Sequence, residues 1–229
     1  MKTLSEFWKW AVDQVDDDKE WWNNYAFFCR EAKKYEESYV AYSQCLEMDP
    51  TSVRIMNDTG LIQLYHLKTD LDRALSLFEQ ACELGEAKVA QLPEGRRLGA
   101  EMLSAYGDAL LNLGRVHTLN GHFEQAEEAF NRLAELDGER TDLFQSRFEL
   151  ILATGDRERL KEMVHETALT LLTEPRSRGT RYRLAWAHDE LIPKEEGAPV
   201  EPEVAELIRL IEKILRPEAE EAEDAEDAE

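Results

Sequence analysis

The chain has 229 residues, 49 acidic against 27 basic side chains, a formal net charge of -22 and 43% hydrophobic residues. That length suits one domain or one elongated array with a substantial core, and five Trp, seven Tyr and eight Phe are too many aromatics for a disordered chain. The charge opposes phosphate backbones and anionic lipid, so neither nucleic acid nor a membrane is an expected partner. No stretch approaches the ~18 apolar residues of a membrane span, and MKTLSEFWKWAVDQVDDD lacks a signal-peptide pattern; the expected compartment is cytoplasmic. Cys29, Cys45 and Cys82 form no CxxC pair and sit inside apolar helical patterns, where small thiols serve as packing. Neither a disulfide nor a cysteine zinc site is expected.

Few Gly and Pro, with apolar residues recurring every three or four positions, predict an all-α chain. Residues 1–19 hold a first helix, Thr3 to Val15, with Leu4, Phe7, Trp8, Ala11, Val12 and Val15 on one face. It reads as an aromatic cap, and self-association through these aromatics is a further expectation. Residues 20–52 carry Trp22 and Ala26, then Ser38, Tyr42 and Cys45 as a small, aromatic, small triplet, and Pro50. Residues 53–92 follow in step, since Met56 and Gly60 lie 34 residues after Trp22 and Ala26. The second triplet, Ala74, Phe78 and Ala81, comes 36 after the first, which predicts a two-residue insertion in the turn near Leu67 to Asp70.

Residues 96–138 give the best repeat, with Leu113-Gly114, a turn at Asn120-Gly121, then Ala126 and Phe130. Gly60 and Gly114 are 54 apart, so the helices meeting near Leu92-Pro93-Glu94-Gly95 are expected to be long and to form an antiparallel finger. Residues 141–173 keep the period, Gly121 to Gly155 being 34, but place Phe148 and Leu160 where small residues are expected. Residues 174–216 make a helical cap with a basic cluster, Arg176, Arg178, Arg181 and Arg183. Pro202 opens a last helix carrying Val204, Leu207, Ile208, Ile211, Ile214 and Leu215. Residues 217–229 hold eight acidic and no basic side chains, and are expected to be disordered.

Laid on the pattern W-x2-L-G-x2-Y, A-x3-F and P, the unit at residues 20–52 resembles the tetratricopeptide repeat, with Tyr25 and Cys29 in its Leu and Tyr slots. The resemblance covers roughly residues 20–173 and implies an α-solenoid of helical hairpins between terminal capping helices. A small residue at Ala26, Gly60 or Gly114 lets the two helices of a hairpin approach, and Tyr42, Phe78 or Phe130 is expected to fill space towards the next unit. The resemblance also implies a non-enzymatic protein interaction module, or scaffold, whose first helices line a concave groove that receives a peptide or a partner helix. The groove positions are then Glu20, Asn23, Phe27 and Arg30; Arg54, Asn57, Leu61 and Leu64; Asp108, Leu111, Arg115 and Thr118; and Asp142, Gln145, Glu149 and Leu152. Of these Asn23, Phe27, Arg30, Arg54, Asn57, Leu61, Leu64, Leu111, Arg115 and Thr118 are the expected peptide contacts, because apolar side chains beside amides and guanidiniums suit an extended chain. The family's clamp for a C-terminal carboxylate is not expected, since its places hold Asn23, Phe27, Asp58, Asp108 and Asn112.

No nucleophile elbow, phosphate loop, dinucleotide fingerprint or HExxH is present. His117 and His122 flank a turn, and His188-Asp189-Glu190 point in diverging directions on a helix. No catalytic residue, cofactor or metal is expected, and a catalytic or metal-binding helical protein is the weakest reading. A stronger rival is an acidic chaperone for a basic partner, motivated by net charge and tail. The arginine cluster suits a phosphate or an acidic partner segment, or pairs with the chain's own tail or with carboxylates of the fourth hairpin. Internal pairing is the preferred reading.

Overall fold

Capping residues set where each helix starts. In the computed structural model, which describes residues 2–138, 140–195 and 198–216, Asp18 accepts from the amides of Glu20 and Trp21, Ser52 from Ile55 and Asp70 from Arg73. The acidic tail 217–229 lies outside the described residues. Two compact units divide the chain, residues 1–138 and 139–229. The first contains α1 (Lys2–Gln14), α2 (Lys19–Glu31), α3 (Tyr35–Met48), α4 (Val53–Leu61) with a π-helical turn (Ile62–Leu67), α5 (Leu71–Ala90), α6 (Ala100–Leu119) and α7 (Phe123–Asp137). The second contains α8 (Thr141–Thr154), α9 (Arg157–Thr173), α10 (Arg178–Leu191) and α11 (Pro202–Leu215). No strand occurs among the described residues.

In the first unit α2 pairs with α3, α4 with α5 and α6 with α7. The close approach inside each hairpin depends on the small residues. A Cβ added at Gly60 would lie 2.8 Å from Cε1 of Phe78, and one at Gly114 would overlap the ring of Phe130. In the first hairpin Ser38 Oγ donates to the carbonyl of Ala26 at 2.8 Å. The Phe78 and Phe130 rings therefore occupy the space over the glycine of their own hairpin, and Phe78 also shares a buried cluster with Val116 of α6 in the next hairpin, as expected.

Three further features differ from the sequence expectation or sharpen it. The extra residues of the second hairpin are not confined to its turn. The end of α4 widens into the π-helical turn, with the Lys68 amide bonded to the Gln63 carbonyl five residues back at 2.8 Å. Lys68 then adopts a left-handed backbone, φ 55°, before Asp70 starts α5. In α1 the inward stripe is Ser5, Trp8, Ala11 and Val12, while Leu4, Phe7 and Val15 of the expected face stay exposed together with Trp10. Ser5 and Ala11 are small enough to seat α1 closely on α2, and Trp8 then meets Trp21 edge-on at 6.4 Å. The expected long helices are present: α5 and α6 each span 20 residues. Gly85 leaves room for the Tyr106 ring between them, and Tyr106 donates to Glu86 at 2.6 Å. Arg132 of α7 holds the same carboxylate with two bonds, at 3.0 and 2.9 Å.

The second unit is built on its own cluster of Phe148, Leu160, Val164, Leu184, Leu207 and Ile211. Phe148 and Leu160, the two large residues at expected small positions, are both buried there. Its α11 buries Val204, Leu207 and Ile211, spaced by three and four as expected of one helical face. No helix among the described residues is long and apolar enough to cross a membrane.

Replacing Gly114 by Leu is expected to lower stability by ~1 to 3 kcal/mol, because the new side chain must displace the Phe130 ring. Gly179→Ala is the matched control, since a Cβ there meets nothing within 4 Å. A thermal melt of the Gly114 variant that coincides with wild type would contradict the packing described for α6 and α7.

Candidate first-helix binding surface

The first helices α2, α4 and α6 bring most of the expected contact residues onto the first unit. Residues at equivalent repeat positions become neighbours when hairpins stack, and Arg54 of α4 and Asp108 of α6 are such a pair. Arg54 Nη1 donates to Asp108 Oδ2 at 2.6 Å, and its Nη2 donates to Ser104 Oγ at 2.9 Å. Both charged side chains are about one-third exposed, at 35% and 27%. On α2 the Arg30 guanidinium lies 5.1 Å from the centroid of the Phe27 ring, and Phe27 keeps 38% of its surface exposed. Asn23, Leu61, Arg115 and Thr118 are half-buried, and the Thr118 hydroxyl donates to the carbonyl of Gly114 within its own helix at 2.9 Å.

Asp58 stands among these charges on α4. Burial raises its carboxyl above the ordinary value, while the guanidiniums of Arg30 and Arg54 pull the other way. Burial is the larger effect, and Asn57 Nδ2 donates to Asp58 Oδ1 at 3.4 Å.

Three expected contacts are instead interior. Asn57 is buried and accepts a 2.8 Å bond from the amide of buried Asn112, which ties α4 to α6. Leu64 packs with Ala74, Phe78 and Val116, and Leu111 is 4% exposed. Their burial removes all three from a surface that a partner can touch. Ser104 was not among the expected positions. It sits one helical turn before Asp108, and an i, i+4 extension of the first-helix row would have found it. The fourth hairpin's Asp142, Gln145, Glu149 and Leu152 belong to the second unit; there Asp142 pairs with Arg140 at 2.7 Å and Leu152 packs against the core.

Burial pushes the thiol of Cys29 up to about 11 and those of Cys45 and Cys82 up to about 12. His117 is buried, its ring 5.7 Å from that of His122, and burial first and His122 second lower its pKa. His188 lies 3.2 Å from Glu212, and His66 stacks on Tyr35 at 3.9 Å. Among the described residues no group of three or more His, Cys, Asp and Glu is placed to hold a metal ion. In the basic cluster Arg183 lies 5.8 Å from the Phe144 ring centroid, and Arg181 donates to the carbonyl of Leu215 at 3.3 Å.

A sequence model described as tetratricopeptide repeat matches residues 20–52 and 107–140. Among solved structures, the fold is similar to YrrB, described as a TPR protein with an unusual peptide-binding site; identity is 18%, coverage 97% of this chain and 99% of that one, and the TM-score 0.54. It is also similar to PilW, described as a widely conserved type IV pilus biogenesis factor, at 13% identity, 88% and 87% coverage and a TM-score of 0.55. A tetratricopeptide repeat protein from Parabacteroides merdae aligns at 15% identity over 90% of this chain and 75% of its own, with a TM-score of 0.50. No curated protein matches the sequence. At these identities the likeness is one of fold.

Asp58→Asn tests the electrostatics of this surface. A carboxyl raised on folding binds its proton more readily in the native state, so its ionised form destabilises the fold above the raised pKa, and that penalty fades as pH falls towards the ordinary carboxylate range. The Asn variant is expected to melt at or above the wild-type temperature at pH 7, with the difference shrinking as pH is lowered to about 4. Paired melts at the two pH values check this; a variant less stable than wild type at pH 7 would show that Asp58 is held mainly by Arg30 and Arg54.

Proposed function

We propose that this chain, a tetratricopeptide repeat protein, acts as an interaction scaffold that binds an extended peptide or a partner helix along α2, α4 and α6 of its first unit. The fold supports a scaffold role in general; the particular surface is our reading. The observation that carries it is the half-exposed Phe27 ring with Arg30 beside it, on the same row of first helices as the Arg54, Ser104 and Asp108 group. Phe27 offers an apolar contact. Arg54, Ser104 and Asp108 offer donors and acceptors that suit the backbone of an extended segment. The peptide-binding site ascribed to YrrB illustrates that such an array can take a peptide.

The rival reading is an acidic chaperone for a basic partner, favoured by the net charge of -22. The two predict different responses. A surface that reads side-chain shape loses its partner when Phe27, Arg30 and Arg115 are replaced by Ala, and salt weakens it only modestly. Attraction from dispersed carboxylates is screened beyond a Debye length of ~8 Å at physiological salt, so salt then dominates. Asn57 is left intact in this test because its bond to Asn112 is internal.

The expected outcome is that the Phe27, Arg30 and Arg115 triple variant melts like wild type and binds its partner, captured from native cells, at least ~10-fold more weakly. Isothermal titration at low and high salt reads both quantities. Full affinity in a natively folded triple variant would falsify the surface as placed.

A further inference from the structure

One hydroxyl beneath the proposed first-helix surface is not explained by packing. Tyr42 of α3 fills the aromatic slot of the first hairpin, the slot that Phe78 and Phe130 fill in the second and third. All three rings are buried, Tyr42 to 1% exposure, so a phenylalanine would serve the core of the first hairpin equally well. Buried phenols ordinarily find a hydrogen-bond partner, yet among the described residues the Tyr42 hydroxyl makes no hydrogen bond. Burial first, and the charge of Asp58 second, hold this phenol above its ordinary value, while Arg30 pulls the other way. The hydroxyl therefore stands beside both groups without bonding to either.

Those two neighbours have bonding capacity to spare as well. Asp58 is half-buried and accepts a single hydrogen bond among the described residues, the long one from Asn57 at 3.4 Å. Neither nearby guanidinium is paired with it. Arg54, one turn earlier on α4, is held by Asp108 and Ser104. Arg30 has a loose ion pair at 3.4 Å, from its Nε to the adjacent Glu31, and otherwise lies against the Phe27 ring. A carboxyl, a hydroxyl and a guanidinium thus gather at the edge of one exposed ring with almost no bonds among them. Polar groups taken out of water without partners cost free energy, and a bound group that completes their bonds recovers it.

We infer that the surface beside Phe27 binds a carboxamide of the partner, an Asn or Gln side chain, among Tyr42, Asp58 and Arg30. This rests on the first-helix reading and names the chemistry of one position in the partner. Charge decides between the polar side chains that fit. An ammonium or guanidinium would pair with Asp58 but meets repulsion from Arg30 and Arg54, and a carboxylate would pair with Arg30 but meets repulsion from Asp58 and Glu31. A carboxamide is neutral, and it carries both a donor for the Asp58 carboxylate and an acceptor for the Tyr42 hydroxyl or the Arg30 guanidinium. The partner residue next to it then lies on the Phe27 ring, which favours an apolar side chain there. A site that reads a side chain through hydrogen bonds rejects an apolar analogue of the same size, because its own groups are left unpaired.

Selection from a random peptide library on the immobilised full chain, followed by titration of the selected peptides in solution, tests this. The expected outcome is a set of peptides with Gln or Asn at one fixed position beside an apolar residue, all of which lose binding to the Phe27, Arg30 and Arg115 triple variant. Exchanging that Gln for Met, or that Asn for Leu, keeps the volume and removes the bonds, and is expected to weaken binding to wild type on the order of tenfold. Tyr42→Phe should melt like wild type, since Phe78 and Phe130 already fill this slot in the other hairpins. It should weaken the carboxamide peptide by about threefold to tenfold and leave the apolar analogue unaffected. A Tyr42→Phe effect that is absent, or equal for the two peptides, would overturn the carboxamide site and leave the surface standing. Selection of Lys, Arg, Asp or Glu at that position would do the same. If no selected peptide depends on Phe27, Arg30 and Arg115, the first-helix surface itself fails, and this site fails with it.

Discussion

Everything in the first unit depends on how closely the two helices of a hairpin can approach. Gly60 beneath Phe78 and Gly114 beneath Phe130 are contacts between a residue with no side chain and a fully buried ring. Interiors are packed as densely as organic crystals, so a ring that fills the space over a glycine fixes the helix separation to within a fraction of an ångström. That separation in turn decides which residues of α4 face α6. The Asn57 to Asn112 bond and the Arg54 to Asp108 pair both cross this second seam, and neither tolerates a shift of the hairpins by a helical turn. The proposed binding surface is thus a consequence of core packing one layer beneath it.

The period was legible in the sequence because the packing contact uses two residue types that stand out, Gly or Ala and an aromatic, at fixed spacing. The equivalence of Arg54 and Asp108 was legible for the same reason: equal repeat positions stack, and opposite charges at equal positions pair. Asn57, Leu64 and Leu111 were assigned to the wrong side because helical spacing gives a direction around a helix but not the width of the interface on that side. Stacking of α4 on α6 buries a wider arc than one hairpin needs alone, and Asn57 gives no warning of its burial since its polar group is satisfied by Asn112. The π-helical turn was illegible for a different reason. An insertion is visible as a change of spacing, yet the same two residues fit a loop or a widened helix, and local sequence does not choose between them.

The N-terminal helix shows a third limit. Hydrophobic periodicity selects the largest apolar stripe, which in α1 includes Leu4, Phe7 and Val15. The structure selects the stripe that approaches best, and the small side chains of Ser5 and Ala11 win over bulk. Phe7 and Trp10 remain exposed at 51% and 59%. Two exposed aromatics on one short helix are a more unusual surface feature than scattered leucines, and they lie on the unit that carries the proposed peptide surface.

Charge supplies the last constraint. Four basic side chains sit at seams between elements: Lys19 of α2 holds Asp49 after α3 at 2.8 Å, Arg54 joins α4 to α6, Arg132 joins α7 to Glu86 of α5, and Arg157 holds Glu201 before α11 at 2.8 Å. Each such pair is worth little alone at an exposed site. Their placement still matters, because every cation used inside the fold leaves its surplus of carboxylates unopposed on the outside. A partner approaching the proposed first-helix surface would meet the Arg30 guanidinium, 3.4 Å from Glu31, beside the Phe27 ring. Approach rate should then follow the partner's net charge, while retention should follow its fit to Phe27 and the Arg54 group, since long-range fields act on encounter and desolvated contacts act on dissociation.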